Sequence, residues 1–232
     1  MTALRKQLSI VGAERDTDEV QRTLEAILFA AREPVDEAAL KKRVPEGTDL
    51  NAALKKLGDH YATRGVHLVR VAGKWALRTA TDLSHRIARD TPPPRKLSRA
   101  AIETLAIVAY HQPVTRAEVE EIRGVTISKG TLDVLIETGW VRLRGRRKAP
   151  GRPVTYGTTE QFLIHFGLDR IDDLPGLEEL KGAGFLDDRL PAGFSVPIPN
   201  DISTLRDDEE AFEEGDPELD PDGDSPRGKR RD

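Results

Sequence analysis

No cysteine occurs among the 232 residues, which excludes disulfides, iron–sulfur clusters, thiolate zinc sites and cysteine nucleophiles together. It also favours a cytosolic over a secreted setting. Aromatic residues make up only 5%, which argues against a sugar or base-stacking site lined with rings. Long hydrophobic runs are missing as well. The longest, Ala26 to Ala31, is six residues, far short of the roughly 20 that a membrane helix needs. The first thirteen residues hold only the short apolar patch Ile10-Val11, too little for the core of a signal peptide. These absences predict a cytoplasmic protein with no membrane partner.

What the chain has in quantity is charge, 33% of residues against 38% hydrophobic, for a net of −4. The average hides an asymmetry. Residues 201–232 carry thirteen acids and five bases, a net of −8, which leaves +4 on residues 1–200. From about Asp187 the sequence is rich in Pro, Gly, Asp and Glu, and such a segment cannot bury enough apolar surface to offset its ordering entropy. Residues 187–232 are therefore expected to be a disordered acidic tail, and residues 1–16 a flexible arm. The prolines of Thr91-Pro-Pro-Pro-Arg95 stop any helix and stiffen a linker over 91–96, between a first half at 17–90 and a second at 97–186.

The halves repeat one another. Leu24 to Leu40, with Pro34 inside it, aligns with Glu103 to Val119, with Pro113 inside it, at an offset of 79; Gly65 to Val71 answers Gly139 to Arg144 at an offset of 74. Two matches in the same order imply two copies of one small fold. In the first copy Val20, Leu24, Ile27, Leu28 and Ala31 mark one helical face. Pro34 ends that helix, and Asp36 caps a second. Leu50, Ala53, Leu54, Leu57 and Tyr61 then define a third helix. A hairpin turning at Gly73 follows, with a closing helix over 82–90. In the second copy Ser98 caps a helix with Ile102, Leu105, Ala106 and Ala109 inward. Thr115-Arg-Ala-Glu118 forms a capping box, and Ser128 opens a third helix with Leu132, Leu135 and Ile136. Strands at 140–143 and 154–157 flank a basic tip over 144–152, and a helix over 160–166 closes the copy. Three helices followed by a hairpin is the winged-helix arrangement. The expected fold class is mainly α with small β wings (α+β), as tandem winged-helix domains.

A search for chemistry returns little. The five histidines (60, 67, 85, 111 and 165) show no close pair at helical or strand spacing. No G-x-S-x-G elbow is present. Gly124 to Gly130 imitates a phosphate loop with its final Lys and Gly reversed and no hydrophobic strand before it. Glu218 to Gly223 imitates the start of a calcium loop, but Lys229 stands where the bidentate Glu is required. No catalytic residues, metal ligands or cofactor site are assigned, and the expectation is a protein that is not an enzyme. The cations Arg142, Arg144, Arg146, Arg147, Lys148 and Arg152 form the best nucleic-acid feature, six bases in eleven residues with no acid among them. The third helices display Asp49 and Asp59, or Asp133 and Glu137, and lack the Arg, Asn and Gln cluster that base edges favour. DNA contact is therefore expected to be weak and non-specific. The first helix is apolar most of the way round, since Ala26, Phe29 and Ala30 lie off its core face. A small domain has little core to cover such a helix twice. A homodimer interface drawn from Leu24, Ala26, Phe29 and Ala30 is expected, the alternative being cover by the closing segment 82–90.

The stretch from Leu97 to Gly124, LSRAAIETLAIVAYHQPVTRAEVEEIRG, closely resembles the bacterial segregation and condensation protein B (ScpB) family. Gly151-Arg-Pro-Val-Thr-Tyr-Gly-Thr-Thr159, Phe162 to Leu168 and Asp173-Leu-Pro175 resemble the same family's ending. The resemblance covers about 19–186. It implies a non-enzymatic condensin subunit with two winged-helix domains, which dimerises through the first and binds the middle of the kleisin ScpA. The SMC ATPase is then a partner only indirectly, through the kleisin, and the setting is the nucleoid. Mapped loosely, the kleisin-binding motif residues of the second domain are Ile107, Tyr110, Val114, Ile122, Tyr156 and Phe162. The long acidic tail and the Arg-rich wing depart from the family pattern. The competing reading is a winged-helix transcriptional regulator that holds DNA on the wing at 142–152, and a further idea lays the acidic tail over that wing.

Overall fold

The computed structural model describes residues 18–87, 97–128, 130–182, 197, 199 and 204–212. The N-terminal arm, the linker at 91–96, residues 88–90 of the closing helix, Lys129 and the calcium-like run at 218–229 lie outside the described residues. The chain divides into two compact units, Met1–Pro92 and Pro93–Asp232.

The first unit opens with α1, residues 18–30, followed by α2 (Glu37–Lys41) and α3 (Leu50–Tyr61). An antiparallel hairpin of β1 (Val66–Val71) and β2 (Lys74–Thr79) follows. Asp36 caps α2 by accepting from Ala39 N at 2.6 Å, and Asp49 caps α3 by accepting from Ala52 N at 3.0 Å. Each cap satisfies an amide that the first helical turn leaves without a partner. Gly73, at φ 74°, makes the tight hairpin turn. Val20, Leu24 and Leu28 of α1, Leu40 of α2 and Leu50, Ala53, Leu54 and Leu57 of α3 form one core, with Trp75 and Leu77 of the hairpin packed on it. The closing segment is a 3₁₀ turn, Thr81–Leu83, leading into α4, Ser84–Ile87.

The second unit repeats the order with α5 (Arg99–His111), β3 (Val114–Thr115), α6 (Arg116–Arg123), α7 (Thr131–Glu137), β4 (Val141–Arg147), β5 (Val154–Thr158) and α8 (Glu160–Phe166). The repeat extends to its smallest joint. In the first unit Val35, after Pro34, forms a single bridge to Trp75, with both N–H···O bonds at 2.8 Å. In the second unit Val114 and Thr115, after Pro113, pair with Tyr156 and Thr155. The next residue then caps a helix in the first unit, whereas in the second Thr115 itself does so in a reciprocal capping box with Glu118.

Ala31, expected on the inward face of the first helix, lies beyond the end of α1 and is exposed, and other features of the second unit also differ from the sequence pattern. The core face of α5 is Ala101, Thr104, Leu105, Val108 and Ala109, while Ile102 is 55% exposed and Ala106 also faces out. The cap of α7 is Gly130 in the left-handed region, not Ser128, whose Oγ lies 2.7 Å from Thr131 Oγ1. The strand expected to stop at residue 143 continues to Arg147, so Arg144 to Arg147 of the expected wing tip belong to the sheet, with a register shift between Leu143 and Gly145. Gly145 and Arg146 pair with Thr155 and Val154 of β5, and the other edge finds a partner far along the chain. Residues 204–212, inside the segment expected to be disordered, are ordered against β4, and Glu209–Glu210 form β6. The sheet order is β3-β5-β4-β6.

Candidate partner surfaces and the capped basic wing

On α1 the four residues assigned to a dimer face separate. Leu24 is fully buried in the core of its own unit, so its place in an interface is corrected. Ala26 and Ala30 are exposed, and Phe29 is 83% exposed. No described residue of the closing segment covers Phe29, which disposes of that alternative within the described residues. A phenylalanine left in water, flanked by two alanines that leave room for a close approach, is an unsatisfied apolar surface.

The second unit's assigned motif residues also divide. Val114, Tyr156 and Phe162 are core residues, 1–3% exposed, and shape the unit from within. Ile107 and Tyr110 are half-buried, Tyr110 donating from Oη to Pro175 O at 2.8 Å. Burial, aided by the Glu179 charge, raises the Tyr110 phenol above its ordinary range. Ile122 is exposed. The pattern missed Ile102 and Val125, both more than half exposed. Arg123 Nη2 donates to Glu103 at 3.0 Å, tying the end of α6 to the first turns of α5, where Ile122 and Ile102 adjoin the ion pair. The Arg123 and Arg99 guanidiniums hold the Glu103 carboxyl below its ordinary value. Glu120, which accepts from the Ile127 amide at 2.9 Å and from Arg116, is likewise lowered.

At the wing, cations expected to face phosphate face carboxylates instead. The Arg144 side chain is 4% exposed and its Nη2 lies 3.4 Å from Glu209, whose side chain is fully buried. Burial lowers the Arg144 guanidinium from its usual value, with Glu209 opposing the shift. Arg147 meets Asp208 at 2.7 Å and Glu118 at 2.8 Å; these partners outweigh its burial and raise it. Lys148 Nζ donates to Asp207 O at 2.7 Å, Arg152 pairs with Glu210, and the Arg146 guanidinium lies 5.6 Å from the centre of the Phe212 ring. Arg142 is exposed, its Nε donating to Thr158 O at 3.2 Å. The acidic segment thus lies over the basic wing, and five of the six cations assigned to nucleic acid are engaged by it. Sequence reasoning had only the opposite charges of the two segments to work from. It missed Gly145, Thr155 and Glu209, which build the contact.

Among the described residues no group of three or more His, Asp or Glu is placed to hold a metal ion. No helix among them is long and apolar enough to cross a membrane.

The family model described as "Segregation and condensation complex subunit ScpB" matches residues 22–177. The chain belongs to the ScpB family. The segregation and condensation protein B of Desulforamulus reducens is 43% identical over 174 residues, covering 72% of this chain and 94% of its own. That of Moorella thermoacetica is 44% identical over 172 residues, covering 72% and 87%. The crystal structure of ScpB from Mycobacterium tuberculosis is 35% identical, covering 66% of this chain and 97% of its own, with a TM-score of 0.29. The family match ends at 177, so the strap of this ScpB chain at 204–212 lies outside it.

Proposed function

We propose that this ScpB chain is a non-enzymatic adaptor of the SMC complex, acting in chromosome condensation and segregation at the nucleoid. It forms a homodimer through the outer face of α1, centred on Phe29 with Ala26 and Ala30. Each of its units is a winged-helix domain, and the second takes part in gripping the central segment of the kleisin ScpA, through which the SMC ATPase is reached. The observation that carries the dimer is Phe29 at 83% exposure in the middle of an otherwise well-packed unit. Burying such a ring against its symmetry mate recovers apolar surface that a monomer leaves in water. The kleisin contact is supported by the exposed Ile102, Ile122 and Val125 and the half-buried Ile107 and Tyr110, apolar area of the kind an extended segment covers as it orders on binding. Light scattering on a sizing column tests both parts. The chain alone runs as a dimer, Phe29→Glu runs as a monomer, and adding the cognate kleisin shifts the dimer to a larger complex. A monomeric wild-type chain, or one that leaves the kleisin unshifted, refutes the corresponding part.

A further inference from the structure

The 204–212 segment meets the wing as a peptide meets a receptor. It adds a strand to the free edge of β4, with Arg146 opposite Glu210 and Arg147 opposite Glu209, and the Lys148 amide donates to Asp208 O at 2.8 Å. The central side chain, Glu209, enters a closed site. One carboxylate oxygen accepts from Thr155 Oγ1 at 2.7 Å, and the other lies 3.0 Å from the Arg206 amide and 3.4 Å from Arg144 Nη2. Thr155 is itself fully buried. Arg144 Nη2 also donates to Thr204 O at 2.9 Å, and Arg206 Nη2 to Gln112 O at 3.2 Å. Gly145 leaves the gap through which the backbone approaches. A Cβ there would lie under 3.0 Å from Glu210 O and 3.1 Å from Leu205 Cδ2, and the three atoms nearest to it all belong to the strap. Phosphate needs none of this. Main-chain pairing, a closed carboxylate site and a residue without a side chain are what recognition of an extended strand requires.

We propose that the β4 edge of the wing is a receptor for an extended acidic peptide strand that places one glutamate against Thr155 and Arg144, and that this chain's own residues 204–212 occupy it. Tethering gives the strap a high effective concentration at the site, so a protein segment that takes the edge must carry the same chemistry and displace it. Main-chain pairing and the Glu209 site set the specificity, while the flanking pairs Arg147–Asp208 and Arg152–Glu210 set the charge preference. The wing is accordingly closed to nucleic acid while the strap is seated.

The test uses the full chain. Asp208→Lys, Glu209→Lys and Glu210→Lys together evict the strap and leave the receptor intact. A fluorescent peptide of residues 204–212 then binds this variant at least about tenfold more tightly than it binds the wild-type chain, as read by anisotropy. A peptide carrying Glu209→Gln binds the variant about tenfold less tightly, because an amide cannot accept from all three donors. Adding Gly145→Val to the variant abolishes binding. In the otherwise wild-type chain Gly145→Val speeds hydrogen exchange at the Lys148 amide while circular dichroism is unchanged. The proposal is overturned if the charge-reversed variant binds the peptide no better than wild type, or if Gly145→Val leaves binding and exchange as they were. It is equally overturned if duplex DNA takes the vacated edge and the peptide cannot displace it.

Discussion

Leu24 and Phe29 sit five positions apart on α1 and have opposite fates: the first has no exposed surface and the second is 83% exposed. Leu24→Ala removes buried methyl groups from a closed core and is expected to cost about 2–5 kcal/mol in urea denaturation. Phe29→Glu touches no core neighbour. Once the contribution of subunit association is separated by varying protein concentration, it should change intrinsic stability by no more than about 0.5 kcal/mol. If Phe29→Glu destabilised the isolated unit as Leu24→Ala does, the exposed ring would be a packing residue. Titration acts at the same scale. Glu103 and Glu120 have folded values below the ordinary carboxylate value of 4.5, through Arg123 and Arg99 in one case and the Ile127 amide in the other. The unfolded chain therefore takes up those protons first as pH falls, and the stability these groups supply is present above 4.5 and lost below it. Burial lowers His111 from 6.5. The unfolded state again binds the proton first, so stability starts to decline as pH drops through 6.5. Urea melts from neutral pH downward should show both steps, and His111→Gln should remove the upper one alone.

At the scale of elements, the Thr115 box is the clearest device. Its Oγ1 accepts from Glu118 N at 3.3 Å, and the Glu118 carboxylate accepts from Thr115 N at 2.7 Å. Thr115→Ala is expected to cost about 1 kcal/mol in the unfolding of the second unit, and Thr115→Ser to cost less. This box was legible because a cap is written within four residues, and so were the caps at Asp36 and Ser98 and the break at Pro34. The face of α5 was not. Ala101, Ile102, Leu105, Ala106, Val108 and Ala109 are apolar most of the way round, so periodicity alone picks no unique inward side. The three-dimensional packing of α6 and α7 on α5 makes the choice, burying Ala101 and Val108 and leaving Ile102 in water. The length of β4 was hidden for a different reason. Arg144 to Lys148 read as a loop tip because five charged or small residues carry no apolar alternation, yet Gly145 and Arg146 pair with Thr155 and Val154 of β5, and a second partner some 60 residues away takes the other edge. Composition condemned that partner to disorder by averaging over 187–232, although the charges that seat it are local to 207–210. A motif likewise does not separate core from surface: Tyr156 and Phe162, drawn from a family-like stretch as contact candidates, are buried in the core.

For the whole molecule, the division of the core is decisive. Every buried apolar residue of the first cluster lies between Val20 and Leu57, and every one of the second between Ala101 and Ile171. Among the described residues neither cluster draws a residue from the other unit, so each hydrophobic core is built from its own unit's elements. The ion pairs of the strap likewise lie within the second unit: Asp208, Glu209 and Glu210 meet Arg147, Arg144 and Arg152, and Lys148 donates to the Asp207 carbonyl. It follows that Met1–Pro92 and Pro93–Asp232, expressed separately, should each unfold in one cooperative transition. The two midpoints should reappear in the melt of the full chain. The first fragment should retain self-association and lose it on Phe29→Glu. The second should remain monomeric and retain strap protection at the Lys148 amide. Calorimetry of the three proteins decides the matter: a fragment without a cooperative transition means that its core is completed by the other unit, and self-association following the second fragment means that the dimer does not rest on α1.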